Sequence, residues 1–327
     1  MNKLMTLEAV CIRRCVNQTS VIFNRQPFHV DQQKYQKRFY TPGGFWNSVS
    51  SSVPVTTLQE GITHLHDITG LPWWGTIVVS TVLLRTVLTF PLAIYQSKIL
   101  AKVEKIRGEM PEIVKELKME TAYAVRKFHW NEKQARIMYN RSVNNQWNNL
   151  VVRDNCHPGK SIIVVLFQIP LWISQSWAIR NLIHMLPDPT SVEAQLTAAE
   201  MLVGGFGWIP NLTEADHSLI LPVTLGVLNL TIIELQKASK KVQLNTKLQK
   251  YATNFFRVLS VLMVPIAAYV PSGLCLYWVA SSSFGLVQNL VLLSPRLKRF
   301  ANIPKVDSEV DKPYTFLLNN IKGKFSK

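Results

Sequence analysis

One arginine, Arg85, stands in the middle of an apolar stretch that runs from about residue 73 to residue 95. An arginine at the centre of a membrane-spanning helix costs about 2.5 to 3.5 kcal/mol on insertion, so a functional role is its default interpretation. Its guanidinium can pair with carboxylates and donate several hydrogen bonds to them. An internal structural ion pair is the alternative, but the only acid within the other predicted spans, Glu234, lies near a span end. We therefore predict that Arg85 binds acidic groups.

Further polar residues recur at helical spacing within the apolar stretches. Thr81, Arg85 and Thr89 follow one another at intervals of four residues, which places them on one face of a helix. Two glutamines, at 168 and 175, are likewise two turns apart in a second stretch. We predict a polar groove within the bilayer formed by Arg85, Thr81, Thr89, Gln168, Gln175, Asn229, Gln288 and Asn289. Each of these residues taken alone could instead join two helices through a hydrogen bond.

The sequence lacks the residue patterns of covalent catalysis. It has no evident acid–base pair, catalytic triad or metal-binding spacing, so we expect neither an enzyme nor a bound cofactor or metal. None of the predicted spans contains histidine, which argues against a haem or copper subunit. The nearest approach to a phosphate-binding loop, Gly159-Lys160-Ser161, has Asp154 where the first glycine belongs.

Five apolar windows predict an all-α integral membrane protein. Hydrophobic types make up 47% of the 327 residues and charged types only 17%, against about 25% in soluble domains. A hydrocarbon core of about 30 Å requires about 20 apolar residues in a helix. The predicted spans are about 73–95, 161–183, 218–236, 252–270 and 274–293. Only Pro271-Ser272-Gly273 separates the last two, which predicts a tight helical hairpin, whereas the stretch 196–210 is too short and is interpreted as interfacial.

The first 46 residues have the composition of a mitochondrial transit segment. Residues 1–46 contain seven Lys and Arg but only two acids, and they have no long apolar core. A retained basic tail is the alternative. A short amphipathic helix over 57–70, with Leu58 and Ile62 on its apolar face, is expected to lie on the membrane surface.

The charged loops alternate in a way that predicts the topology. Loop 96–160 contains thirteen Lys and Arg, loop 184–217 contains none but five acids, and loop 237–251 contains five lysines. Under the positive-inside rule the basic loops face the matrix, with the N-terminus in the intermembrane space and the C-terminus in the matrix. This distribution accounts for the net charge of +16 without nucleic acid, because no RNA-binding motif accompanies the basic residues.

The core of five spans is predicted to occupy 73–300, followed by a short basic matrix tail, 301–327. Within it, a helical hairpin over 96–155 projects into the matrix between the first two spans. Apolar residues recur at helical spacing in two runs, which predicts helices at about 96–128 and 131–153.

The order of several short motifs resembles the YidC/Oxa/Alb family of membrane protein insertases. The motifs are Leu84-Arg85 followed by Pro91-Leu92, then Gln168-Ile169-Pro170, then Ile220-Leu221-Pro222, and finally Pro271-Ser272-Gly273-Leu274 followed by Tyr277-Trp278. The resemblance covers roughly residues 57–300. Within the family the chain looks most like the mitochondrial branch that assembles cytochrome c oxidase, on Thr69-Gly70-Leu71-Pro72-Trp73-Trp74 and on Arg153-Asp154-Asn155-Cys156-His157-Pro158.

The resemblance implies a function and a set of partners. It implies that the chain moves the hydrophilic C-terminal tail of cytochrome c oxidase subunit II from the matrix to the intermembrane space, and that Arg85 matches the family's groove arginine. The expected partners are this membrane protein substrate, the lipid bilayer and other assembly factors. The short tail argues against ribosome tethering. A structural assembly factor without translocation activity and a small-solute transporter remain alternatives, although the unequal spans show no internal repeat that would support a transporter.

Overall fold

The computed structural model describes residues 48–239, 247–306 and 309–325, and these residues are almost entirely helical. The predicted transit segment, 1–46, lies outside the described residues. The helices are α1 (Val53–Thr69), α2 (Trp73–Leu84), a π-helical segment (Arg85–Thr89), α3 (Phe90–Phe128), α4 (Glu132–Arg153), α5 (Gly159–His184), α6 (Val192–Val203), α7 (Ile220–Ala238), α8 (Lys247–Ala268), α9 (Ser272–Leu293), α10 (Pro295–Phe300) and α11 (Pro313–Phe325).

Within the described part of the chain, four helices are long and apolar enough to cross a membrane. They are the continuous helix Trp73–Phe128, then Ile220–Ala238, Lys250–Ala268 and Ser272–Leu293. They coincide with the first, third, fourth and fifth predicted spans. The predicted second span, 161–183, falls within the 26-residue helix α5, which is not one of the four, and the side chains of 161–165 are not described.

The largest apolar cluster joins α1, α2, α5, α7 and α9. It contains the fully buried side chains of Ile62, Ile77, Ile179 and Tyr277, and α1 packs mainly along α5. The amphipathic helix predicted at 57–70 therefore begins earlier, at Val53, and buries part of its apolar face in the protein. The interfacial stretch predicted at 196–210 contributes the short helix α6 and the buried Met201 to the same cluster.

A polar contact connects α2 to α6 at the edge of this cluster. The buried indole of Trp73 donates a hydrogen bond from Nε1 to Glu200 Oε2 at 3.0 Å. The His66 ring stacks on the Trp73 ring at 4.1 Å, and His66 Nε2 lies 3.4 Å from the same carboxylate oxygen. Glu200 thus supplies the acceptor for the N–H of a buried indole.

Replacing Glu200 with alanine is expected to destabilise the fold by about 1 to 3 kcal/mol, because the buried Trp73 N–H would lose its acceptor. The measurement is thermal unfolding of the purified protein in detergent. Glu193→Ala is the matched control, since Glu193 is exposed in the first turn of the same helix. Equal losses of stability in the two variants would show that the Trp73 contact contributes nothing specific.

Helices α3 and α4 form a second cluster of their own. Ile99, Val103 and Ile106 of α3 are buried against Val151 of α4 and against Cys156, which follows it. At their base the Arg153 guanidinium contacts Glu109 at 2.9 Å and Asp154 at 3.0 Å, and it holds the pKa of the Asp154 carboxyl below its usual range. Helix α3 starts at Phe90 rather than near residue 96, where the first helix of the hairpin was predicted, because it continues directly from the first span.

The prediction of a tight hairpin between the last two spans is wrong. Both α8 and α9 pack extensively on α7 and far less on each other, although only a short turn joins them. The close approach of α7 and α8 explains this arrangement, because Gly226 of α7 has no side chain to hold Val264 of α8 away. Helix α7 therefore lies between the two helices that follow it.

The C-terminal segment predicted as a basic tail, 301–327, contains a docked helix. Leu317 of α11 is buried against Leu235 and Ala238 of α7. Tyr314 donates a hydrogen bond to the Leu290 carbonyl at 3.2 Å, and the Asn320 amide donates one to the Ala238 carbonyl at 3.1 Å. The second bond occupies a carbonyl at the C-terminal end of α7, where the helix offers no internal partner.

Candidate functional site

A cavity of about 850 Å³ lies among the apolar helices. Its wall combines polar and apolar side chains from the π-helical segment, α5, α7, α8 and α9. The polar and charged residues of the lining include Arg85, Asn229, Gln236, Lys237, Lys250, Arg257, Ser260, Ser281 and Ser282. Among the described helices α8 packs extensively only on α7, so the cavity occupies the gap between α8 and the other helices.

The π-helical segment places Arg85 at this cavity. The Arg85 carbonyl accepts the Phe90 N–H, five residues on, and also the Thr89 hydroxyl at 2.8 Å. Pro91 supplies the physical reason, because a proline has no N–H to bond the carbonyl four residues earlier and its ring crowds that turn. The widened turn changes the register of the helix at the partly buried Arg85, whose side chain faces the cavity.

Arg85 faces a hydroxyl rather than a carboxylate. Its Nη2 donates a hydrogen bond to Ser281 Oγ of α9. Among the described residues, Arg85 has no carboxylate oxygen within 4.0 Å of its guanidinium nitrogens, so it takes part in no ion pair there. A guanidinium has five donors, and a single hydroxyl leaves it with capacity for a further acceptor.

Two hydrogen bonds set α7 and α9 side by side in parallel register. Ser282 donates to Asn229 Oδ1 at 2.8 Å, and Gln236 Nε2 donates to Asn289 Oδ1 at 3.4 Å. The two pairs have the same separation of 53 residues along the chain. These bonds therefore form a polar ladder that follows one side of the cavity.

The structure brings together only part of the predicted groove. Arg85 and Asn229 line the cavity, and Asn289 bonds to its lining residue Gln236. Thr81 and Gln175 are buried and form a pair with each other, at 3.4 Å, one turn away from Arg85. That pair joins α2 to α5, which is the role of a helix–helix contact.

The remaining predicted groove residues lie outside the lining. Thr89 is buried and bonds back to the Arg85 carbonyl, so it supports the π-helical turn. Gln168 is partly exposed and does not line the cavity. Gln288 does not line it either, although its buried carbonyl oxygen has no hydrogen-bond partner among the described residues. Helical spacing alone could not place these residues at the cavity. It predicts which residues share a face of one helix, but it does not predict which other helix packs against that face.

The predicted groove did not include three cations of the cavity lining, which are Lys237, Lys250 and Arg257. Arg257 of α8 lines the wall and forms an ion pair with Glu234 of α7. The signal was present in the sequence, since Arg257 is the only charged residue within the predicted span 252–270. It was overlooked because Arg257 lies near the end of the span that carries the basic loop.

The charged side chains in the described part of the cavity lining are all positive. Among the lining residues that the structure describes, four carry a positive side chain, Arg85, Lys237, Lys250 and Arg257, and none carries a carboxylate. Hydroxyl and amide groups supply further hydrogen-bonding partners. Such a surface can bind a hydrophilic, acidic polypeptide segment inside a bilayer and reduce the cost of removing its side chains from water.

Comparison with known proteins places these features in a family. The family model described as 60Kd inner membrane protein matches residues 64–299. The mouse protein (Mus musculus) named cytochrome c oxidase assembly protein COX18, mitochondrial, is 44% identical over 289 residues, which cover 87% of this chain and 85% of that protein. The human protein (Homo sapiens) of the same name is 40% identical over 282 residues, covering 86% and 83%.

A more distant similarity links the chain to a second group. The Arabidopsis thaliana mitochondrial inner membrane protein OXA1-like is 27% identical over 263 residues, which cover 79% of this chain and 54% of that protein. The matched family region begins within α1 and ends within α10, so it includes every residue that lines the cavity.

Proposed function

The chain belongs to the 60Kd inner membrane protein family, the YidC/Oxa/Alb insertases, and from this membership we propose that it is an insertase of the mitochondrial inner membrane that acts in cytochrome c oxidase assembly. The observation that carries the proposal is the cationic cavity among apolar helices, in a chain whose similar relatives are named for oxidase assembly. Its substrate is then a membrane protein with a hydrophilic segment that must cross the bilayer. The C-terminal tail of oxidase subunit II, which must move from the matrix to the intermembrane space, is the proposed substrate.

The proposed mechanism lowers a solvation barrier and makes no covalent bond. A polar tail in hydrocarbon loses its hydrogen bonds to water, which costs several kcal/mol for each unsatisfied group. The cavity offers hydroxyl, amide and guanidinium partners along part of that path. Arg85, which has only a hydroxyl partner among the described residues, gives a passing carboxylate a transient counter-ion.

The proposed orientation has five spans, with the N-terminus in the intermembrane space and the C-terminus in the matrix. It is supported by the alternation of Lys- and Arg-rich loops with the loop 184–217, which has none. In this orientation the end of the cavity with Lys237 and Lys250 faces the matrix. The membrane potential then favours outward movement of each negative charge by about 2.3 kcal/mol per 100 mV. The insertase needs no nucleotide under this proposal.

The test uses mitochondria that lack the protein, with and without complementation by the full chain. After rupture of the outer membrane, added protease reports whether the C-terminal tail of oxidase subunit II has reached the intermembrane space. The proposal expects a protected tail without the protein and a digested tail when the protein is restored.

Normal export of the tail without the protein would exclude the translocation function. Failure of oxidase assembly with a normally exported tail would instead identify a structural assembly factor. A small-solute transporter would leave both export and assembly of subunit II unchanged once the solute is supplied.

A further inference from the structure

The ion pair between Arg257 and Glu234 belongs to the cavity as well as to the contact between two helices. It bridges α7 and α8 near the ends that carry the basic loop, and Arg257 is itself part of the cavity wall. Its side chains remain 34% and 42% exposed, respectively, so neither is sealed in the core. Arg257 also lies within 3.5 Å of Asn254 Oδ1, another lining residue on the same helix. The guanidinium is therefore accessible from the cavity while it is held by an internal carboxylate.

The pair lies at a different depth from Arg85. Arg85 bonds to Ser281, and the neighbouring Ser282 bonds to Asn229, which sets the level of Arg85 on α7. Glu234 follows Asn229 by five residues, or about 7.5 Å of helix rise, towards the end of α7 that carries Lys237. The two guanidinium groups thus stand at successive levels of one cavity. Side chains two positions apart in an extended polypeptide are separated by a similar length, about 7 Å.

We propose that Arg257 is a second substrate-binding cation of the cavity and that Glu234 takes the place of a substrate carboxylate on it between transport events. The proposal rests on the insertase function proposed above. An acidic side chain of the substrate enters past Lys237 and Lys250, exchanges with Glu234 on Arg257, and is then within reach of Arg85. The exchange replaces one carboxylate with another, so the number of ion pairs at Arg257 is unchanged.

The location of Glu234 makes this exchange feasible. An unpaired arginine within the bilayer is costly, and an internal carboxylate removes that cost in the absence of substrate. Glu234 lies four residues before the end of α7, so a displaced carboxylate has only a short way to move to water. A neutral or basic substrate segment cannot displace Glu234, because such a segment offers Arg257 no carboxylate. The pair therefore selects for acidic segments.

The test uses the purified full chain in proteoliposomes under a membrane potential. Two single-span reporter proteins are compared, one with a tail containing several Asp and Glu residues and one in which these are Asn and Gln. Protease accessibility measures tail transfer. The variants are the neutral pair Arg257→Gln with Glu234→Gln, and the exchanged pair Arg257→Glu with Glu234→Arg.

The neutral pair is expected to reduce transfer of the acidic tail about tenfold, since one ion pair in a partly desolvated site contributes about a factor of ten in rate. Transfer of the neutral tail should stay within about twofold of wild type, because it uses no ion pair. The exchanged pair restores the internal ion pair but presents a carboxylate to the cavity, so it should be as defective with the acidic tail as the neutral pair.

Two results would overturn the inference. Wild-type transfer of the acidic tail by the exchanged pair would show that the ion pair only holds α7 and α8 together. Equal loss of both tails in the neutral pair would show the same. If the wild-type protein transfers neither reporter, the insertase function itself is wrong, and this outcome is distinct from the other two.

The single variant Glu234→Gln, which keeps a hydrogen-bonding side chain, should bind the acidic tail more tightly than wild type.

Discussion

Replacing Arg85 with alanine is expected to reduce export of the acidic tail of subunit II by about tenfold or more, because the passing carboxylates lose a counter-ion in a desolvated site. The Arg85→Ala variant should still insert and fold, since a central arginine costs about 2.5 to 3.5 kcal/mol on insertion and alanine removes that cost. The structure supports a loss of export without a loss of folding, because the Arg85 side chain donates a hydrogen bond to a hydroxyl, that of Ser281, and takes part in none of the ion pairs of the described residues. Export is measured by protease accessibility in complemented mitochondria, and protein level is measured in the same samples.

Two further variants sharpen the Arg85 result. Arg85→Lys keeps the charge but loses the planar set of five donors, so its export should lie between the alanine variant and wild type. Ser281→Ala removes the resting partner of Arg85 and leaves the charge, so export should be nearly unchanged. A fully active Arg85→Ala protein would contradict the proposed role, and a protein that disappears would indicate that Arg85 maintains the fold.

Replacing Gly226 with alanine is expected to destabilise the protein by about 1 to 3 kcal/mol through overpacking. A Cβ at this position would lie 2.4 Å from Val264 Cγ2, and a β-branched side chain in a helix has little freedom to move away. Relief requires α7 and α8 to move apart, and these helices form one wall of the cavity. Both thermal stability and tail export should therefore decrease, as measured by unfolding in detergent and by protease accessibility.

Gly285→Ala is the matched control for this prediction. Gly285 also lies within an apolar helix, α9, but a Cβ there would lie 3.8 Å from Ile232 Cδ1, which is an ordinary contact. Alanine in a helix is favoured over glycine by about 1 kcal/mol, so this variant should be neutral or slightly more stable. If both variants behave alike, the close crossing at Gly226 does not determine the packing of α7 on α8.

Much of the fold follows from apolar length and charge. The bounds of α7, α8 and α9 agree with three predicted spans to within a few residues, since about 20 apolar residues are sufficient to define a spanning helix. Arg85 was identifiable because a charge at the centre of such a stretch has a large and specific cost. The helices predicted at about 96–128 and 131–153 correspond to α3 and α4, which bury apolar residues against each other, while a hairpin that projects into the matrix stays a prediction.

The remaining features depend on which helices become neighbours. The π-helical turn at Arg85 arises from Pro91, but spacing rules that assume 3.6 residues per turn do not include it. Thr81 and Gln175 satisfy each other rather than the cavity, and no property of either helix alone reveals this. The short turn at Pro271 predicted adjacent helices, yet Gly226 allows α7 to approach α8 so closely that α7 becomes the neighbour of both.

The central claim is that a hydrophilic tail passes through the cavity next to Arg85, and site-specific photocrosslinking tests it most directly. A photoreactive amino acid is placed at Ile233, which lines the cavity, or at Val227 on the same helix, which is 57% exposed and lies outside the lining. During synthesis of subunit II in intact mitochondria, we expect a crosslink between the tail and position 233 and none with position 227. A tail that crosslinks to position 227 and not to position 233 would show that it crosses elsewhere, and would contradict passage through the cavity.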